Sequence, residues 1–103
     1  MNKIPYEQRC ETYRKALAAF GDRMQLTVAS EELAECQQAI CKILRGGENF
    51  KHLAEEVADA TIVLEQVRQM FNIDFDVCEC MDMKVQRLEE RIERYTNGRN
   101  NFQ

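Results

Sequence analysis

The chain has 103 residues and a formal net charge of −4, enough for one compact domain and too little for two. No run of about 18 or more apolar residues appears, so a transmembrane helix is not expected. The acidic balance argues against the basic face that a nucleic-acid binder carries, but not against a phosphate ligand, because a divalent cation converts an acidic cleft into an anion site.

The first predicted helix runs from about Pro5 to Phe20. Proline suits a first helical turn, where its missing N–H is not needed. Tyr6, Cys10, Tyr13, Leu17 and Phe20 recur at three- and four-residue steps, and Gly21 is the expected stop. The second helix runs from about Arg23 to Arg45, with Asp22 as N-cap and Gln25 as its capping-box partner. Its apolar stripe is Leu26, Ala29, Leu33, Ile40 and Leu44, and Gly46-Gly47 ends it. The third runs from about Phe50 to Phe71 with Asn49 as cap. Its buried face is predicted at Leu53, Val57, Ala60, Leu64, Val67 and Phe71. After Asn72-Ile73, Asp74 caps a fourth helix that carries Phe75, Cys78, Met81, Val85, Leu88, Ile92 and Tyr95. This helix is predicted to fade at Thr96-Asn97-Gly98, leaving a frayed tail of five residues. No strand-like alternation persists, and the short connections predict an all-α four-helix bundle with sequential helices antiparallel.

The second and third helices carry a repeat. Glu31-Glu32-Leu33-Ala34-Glu35 matches Glu55-Glu56-Val57-Ala58-Asp59, acid for acid and apolar for apolar. In each, acids at i and i+3 share a helix face. At 100° per residue, Glu32 and Glu56 fall roughly 80° from the centre of their apolar stripes, and Glu35 and Asp59 roughly 140°. One acid of each pair is thus expected at the edge of its stripe and the other outside it. Such edges can meet across a subunit interface or over a third helix. Unpaired, a cluster of carboxylates repels itself; bound Mg2+ or Mn2+, which prefer oxygen ligands, removes the repulsion. The bland alternative is that each pair is an ordinary solvated face.

Glu32-x-x-Glu35 followed by Glu56-x-x-Asp59 resembles the paired motif of the all-α nucleotide pyrophosphohydrolases. This superfamily contains MazG, the dimeric dUTPases and phosphoribosyl-ATP pyrophosphohydrolase. Phe20-Gly21, Gln25-Leu26, Leu64-Glu65-Gln66, Phe71-Asn72-Ile73 and Lys84-Val85-Gln86-Arg87-Leu88 running to Arg91-Ile92 are also similar to short MazG-like proteins. The resemblance covers roughly residues 16 to 95 and departs at Leu88, where many such chains have Asn. It implies a single MazG-like domain in which Glu32, Glu35, Glu56 and Asp59 hold Mg2+ against the phosphates of a nucleoside triphosphate. Water then attacks the α-phosphorus and pyrophosphate leaves. Glu35, set farther from the apolar stripe, is the candidate for activating that water. Lys84, Arg87 and Arg91 share one face of the last helix with Arg94 and are candidates for substrate binding. The resemblance suggests the polyphosphate grip for Lys84 and Arg91. The alternative is an exposed helix laced with salt bridges to Glu89, Glu90 and Glu93.

The remaining features point less sharply. Five cysteines without regular spacing read as reduced packing thiols, and the polar N-terminus predicts a cytoplasmic location. Cys78-x-Cys80 lacks the four closed ligands of a zinc site. His52 reads as a surface residue, with ligation beside Glu56 as its functional alternative. Phe20 and Tyr13 read as core rather than as a stack for a base. Apolar residues beyond one stripe (Val28, Ile43, Ile62, Val63, Met70) need a second surface to cover them. They predict a homodimer or homotetramer with the substrate cleft near the interface, which the resemblance also implies. A di-iron bundle would need Glu-x-x-His pairs, and none occurs. The rival function is a non-catalytic helical oligomerisation or interaction module whose acids only solubilise it.

Overall fold

The computed structural model describes residues 3–101, with side chains for residues 3–99. Four α-helices and no strand are found among the described residues: α1 (Tyr6–Phe20), α2 (Asp22–Leu44), α3 (Phe50–Met70) and α4 (Asp74–Asn101). None of them is long and apolar enough to cross a membrane. The chain divides into two compact units, residues 1–72 and 73–103.

In the first unit, α2 and α3 form an antiparallel hairpin. Gln66 Nε2 donates to Gln25 Oε1 at 2.9 Å, joining the start of α2 to the end of α3. At the other end, Lys42 and His52 line one cavity. Gly46, at φ 95°, makes the turn between them, a conformation costly for any residue with a Cβ. Its N–H donates to the Ile43 carbonyl, and the Gly47 N–H donates to the Lys42 carbonyl, both at 2.9 Å, so carbonyls left over at the helix end are satisfied. Asn49 caps α3 as predicted, its Oδ1 accepting the His52 N–H at 3.1 Å.

The start of α2 differs from the expectation. Gly21, at φ 84°, takes the N-cap position, and Asp22 is the first helical residue. The left-handed glycine turns α1 directly into α2, leaving no extended residue for Asp22 to occupy. Asp22 Oδ1 accepts only the adjacent Arg23 N–H. The capping box does not form, and Gln25 faces α3 instead. Pro5 likewise sits just outside α1, at its N-cap.

The inward faces of α2 and α3 also differ from their apolar stripes. In α2 the buried or half-buried residues are Gln25, Val28, Ala29, Glu32, Cys36, Ala39, Cys41 and Ile43. Leu26, Leu33, Ile40 and Leu44 are exposed, as are Val57 and Leu64 on α3 and Phe71 just after it. Ala60 and Val63 are the buried residues of α3. Both helices are therefore rotated by roughly 60–80° from the predicted orientation. Small side chains (Ala29, Ala39, Ala60) lie at the contact and let the backbones approach. The larger aliphatic residues lie on flanking faces.

α1 packs on both α2 and α3 through Tyr13, which is 7% exposed, and through half-buried Cys10, Ala16 and Leu17. Three side-chain links tie it to α3. The Tyr13 hydroxyl and the Arg9 guanidinium both donate to the Glu65 carboxylate. Gln69 Nε2 donates to the Cys10 carbonyl at 3.1 Å. Tyr13 is thus a core residue as expected, whereas Phe20 is exposed. Burial, then the hydrogen bond to Glu65, pushes the Tyr13 phenol well above its ordinary range.

The second unit is built on α4. It begins at Asp74 with Asp76 also in its first turn, where negative charge complements the helix dipole. It does not fade at Thr96-Asn97-Gly98 but continues to Asn101. Glycine and asparagine lower helix propensity by only about 1 kcal/mol or less, and a helix stops where the backbone leaves helical φ, which Gly98 does not. The Arg99 guanidinium lies 5.8 Å from the centre of the Tyr95 ring, a cation–π contact across one turn. Residues 102 and 103 of the expected frayed tail lie outside the described residues. Phe75, Met81, Val85, Leu88, Ile92 and Tyr95 are exposed.

Candidate metal centre

Rotation of α2 and α3 carries Glu32 and Glu56 from the edge into the hairpin, where both are half-buried, and leaves Glu35 and Asp59 exposed, outside it as expected. Glu32, Glu35 and Glu56 each offer a carboxylate oxygen within 4.8 Å of the others. They meet within one chain, not over a third helix. Glu32 is half-buried and Glu35 exposed; the Glu56 side chain is 13% exposed. Asp59 lies outside this trio, exposed, but near enough for its charge to act on Glu32. Glu31 and Glu55 are exposed.

The trio is electrostatically unfavourable by itself. Glu32 Oε2 and Glu56 Oε2 are buried and have no hydrogen-bond partner among the described residues. A buried acceptor without a partner costs on the order of 1–3 kcal/mol, and more when charged. Burial, followed by the charges of Glu35, Asp59 and Glu56 and the hydrogen bond with Asp59, holds the Glu32 carboxyl above its ordinary value. Two orphaned oxygens among like charges are what a hard divalent cation would resolve, since it takes carboxylate oxygens without demanding a hydrogen. The donor set therefore fits Mg2+ or Mn2+. The cysteines are all free.

Beside the trio is a cavity of about 330 Å3 lined by Glu35, Gln38, Ala39, Lys42, His52 and Glu56. His52 Nε2 is 4.0 Å from Glu56 Oε1, so the histidine belongs to the surroundings of the acids. Gln38 and Lys42 were not singled out from the sequence. The signal was present: positions 35, 38 and 42 step by three and four and share one helix face. A second cavity, about 580 Å3, lies between α1 and α3, with Tyr13, Ile62 and Glu65 in its lining.

Lys84, Arg87 and Arg91 lie on α4, in the second unit, and all three are exposed there. Against known proteins, no family model, no curated protein and no solved structure matches this chain.

Proposed function

We propose that the chain is a Mg2+-dependent pyrophosphohydrolase with a MazG-like four-helix bundle, cleaving a nucleoside triphosphate to the monophosphate and pyrophosphate. The observation that carries this is the carboxylate trio with its two buried, unpartnered oxygens. Glu32, Glu56 and Glu35 would hold the cation, with Asp59 orienting Glu32 or joining them. When bound, Mg2+ supplies neutralisation of phosphate charge and orientation or acidification of water; Mn2+ can substitute for it. Glu35, the exposed member of the trio, accepts a proton from the attacking water through its carboxylate. Lys84, Arg87 and Arg91 are proposed contacts to the nucleotide. The exposed aliphatic residues Leu33, Ile40 and Leu64 support a homodimer or homotetramer.

The test is pyrophosphate release from a panel of NTPs and dNTPs with Mg2+, for wild type and Glu56→Gln. The substitution keeps the shape and removes a charge, so activity should fall about a hundredfold or more with the fold intact. Mg2+ alone should raise the melting temperature, stabilising by about 2.7 kcal/mol at a hundred times its Kd. Stability indifferent to Mg2+, together with no release from any nucleotide, would favour the non-catalytic interaction module.

A further inference from the structure

We infer that the cavity beside the acids seats a metal-bound diphosphate group, and that Lys42 is its cationic contact. This rests on the proposed metal centre and assigns it a phosphate subsite on α2. Lys42 shares the cavity with Glu35 and Glu56, yet its side-chain ammonium makes no ion pair or hydrogen bond with any described residue. A lysine beside two carboxylates that neutralises neither has its charge available to something else in the cavity.

The spacing explains what that is. Glu35, Gln38 and Lys42 lie along one face of α2, and the outer two are about 10 Å apart along the axis. Long helical side chains lean toward the N-terminus, so Lys42 leans toward Gln38 and the acids. The face thus passes from carboxylate through amide to ammonium. Across it, α3 offers Glu56 and His52. A cation on the carboxylates leaves the far oxygens of a diphosphate beside Gln38 and Lys42. The carboxylates would repel those oxygens; the amide N–H and the ammonium attract them. At about 330 Å3 the cavity is at the small end of ligand sites, with room for a diphosphate. A purely structural role for Lys42 is the alternative: it lies in the last turn of α2, where positive charge favours the helix dipole.

Calorimetry separates the two. Mg2+ is titrated into wild type, Lys42→Gln and Lys42→Arg, and inorganic pyrophosphate is then titrated in at saturating Mg2+. Lys42→Gln should weaken pyrophosphate about tenfold or more, the loss of one charge-assisted contact. Its affinity for Mg2+ should be unchanged or higher, because a neighbouring positive charge has gone. Lys42→Arg should retain most of the pyrophosphate affinity. The inference is overturned if Lys42→Gln binds pyrophosphate as wild type does, a result that leaves the metal centre standing. It is equally overturned if metal and pyrophosphate affinity fall together with the melting temperature, which marks a structural role. Wild type that takes up no Mg2+ overturns the metal centre and this subsite with it.

Discussion

Glu65 illustrates how a single side chain can hold two helices together in a core this thin. Among the described residues the buried hydrophobics are Tyr13, Ala29, Ala39, Ala60 and Val63. Four of the five are small, and burying a valine contributes only about 1.5–2 kcal/mol. Tyr13 carries a disproportionate share, and its hydroxyl is spent on the Glu65 carboxylate. Replacing Tyr13 by Phe should cost about 1 kcal/mol or more, lowering Tm by about 4–8 °C per kcal/mol in a unit of this size. The pH dependence has a definite sign. The folded phenol is raised above its ordinary value of about 10, so its stabilisation is complete below pH 10 and declines as the pH climbs beyond it. The advantage of wild type over Tyr13→Phe, measured by thermal melts, should shrink above about pH 10. An advantage that grew there would contradict the assigned hydrogen bond.

At the scale of the element, α2 and α3 carry two useful faces and can bury only one against each other. The observed choice joins alanines, cysteine and acids, and leaves Leu26, Leu33, Ile40, Val57 and Leu64 exposed. The acid repeat was legible because identical residue types recur at identical helical phase. Its position inside the hairpin was not, because the larger aliphatic residues outvote alanine in any count of hydrophobicity. On α4 the matter is charge. Lys84 and Arg91 either grip phosphate or pair with neighbouring glutamates, and exposed pairs contribute only about 0–1 kcal/mol. Lys84→Ala and Arg91→Ala should each raise KM at unchanged Tm, and lower kcat if the contact tightens in the transition state. Wild-type kinetics in both variants would make α4 scaffold and leave the phosphate grip to α2.

For the whole molecule the exposed aliphatic faces are the dominant fact. Exposed aliphatic side chains in this number are the reason for proposing that another copy of the chain covers them. The proposed homodimer or homotetramer should appear by light scattering at micromolar concentration as a multiple of the chain's mass. Leu33→Glu, at an exposed position, should shift it toward the monomer without unfolding the hairpin. A wild-type monomer with full activity would count against assembly.

The sequence by itself determined the four helices, their ends at Gly21 and Gly46, the Asn49 cap and the two acid pairs. Each is local: periodicity, a left-handed glycine, or one side chain reaching one backbone N–H. Tertiary structure decided which face of α2 meets which face of α3. That choice brought Glu32, Glu35 and Glu56 within 4.8 Å and put Glu56 of α3 into one cavity with Lys42 of α2. It depends on how closely two backbones can approach. Alanines at the contact set that distance, and a hydrophobicity pattern records the size of a side chain but not the room left by a small one.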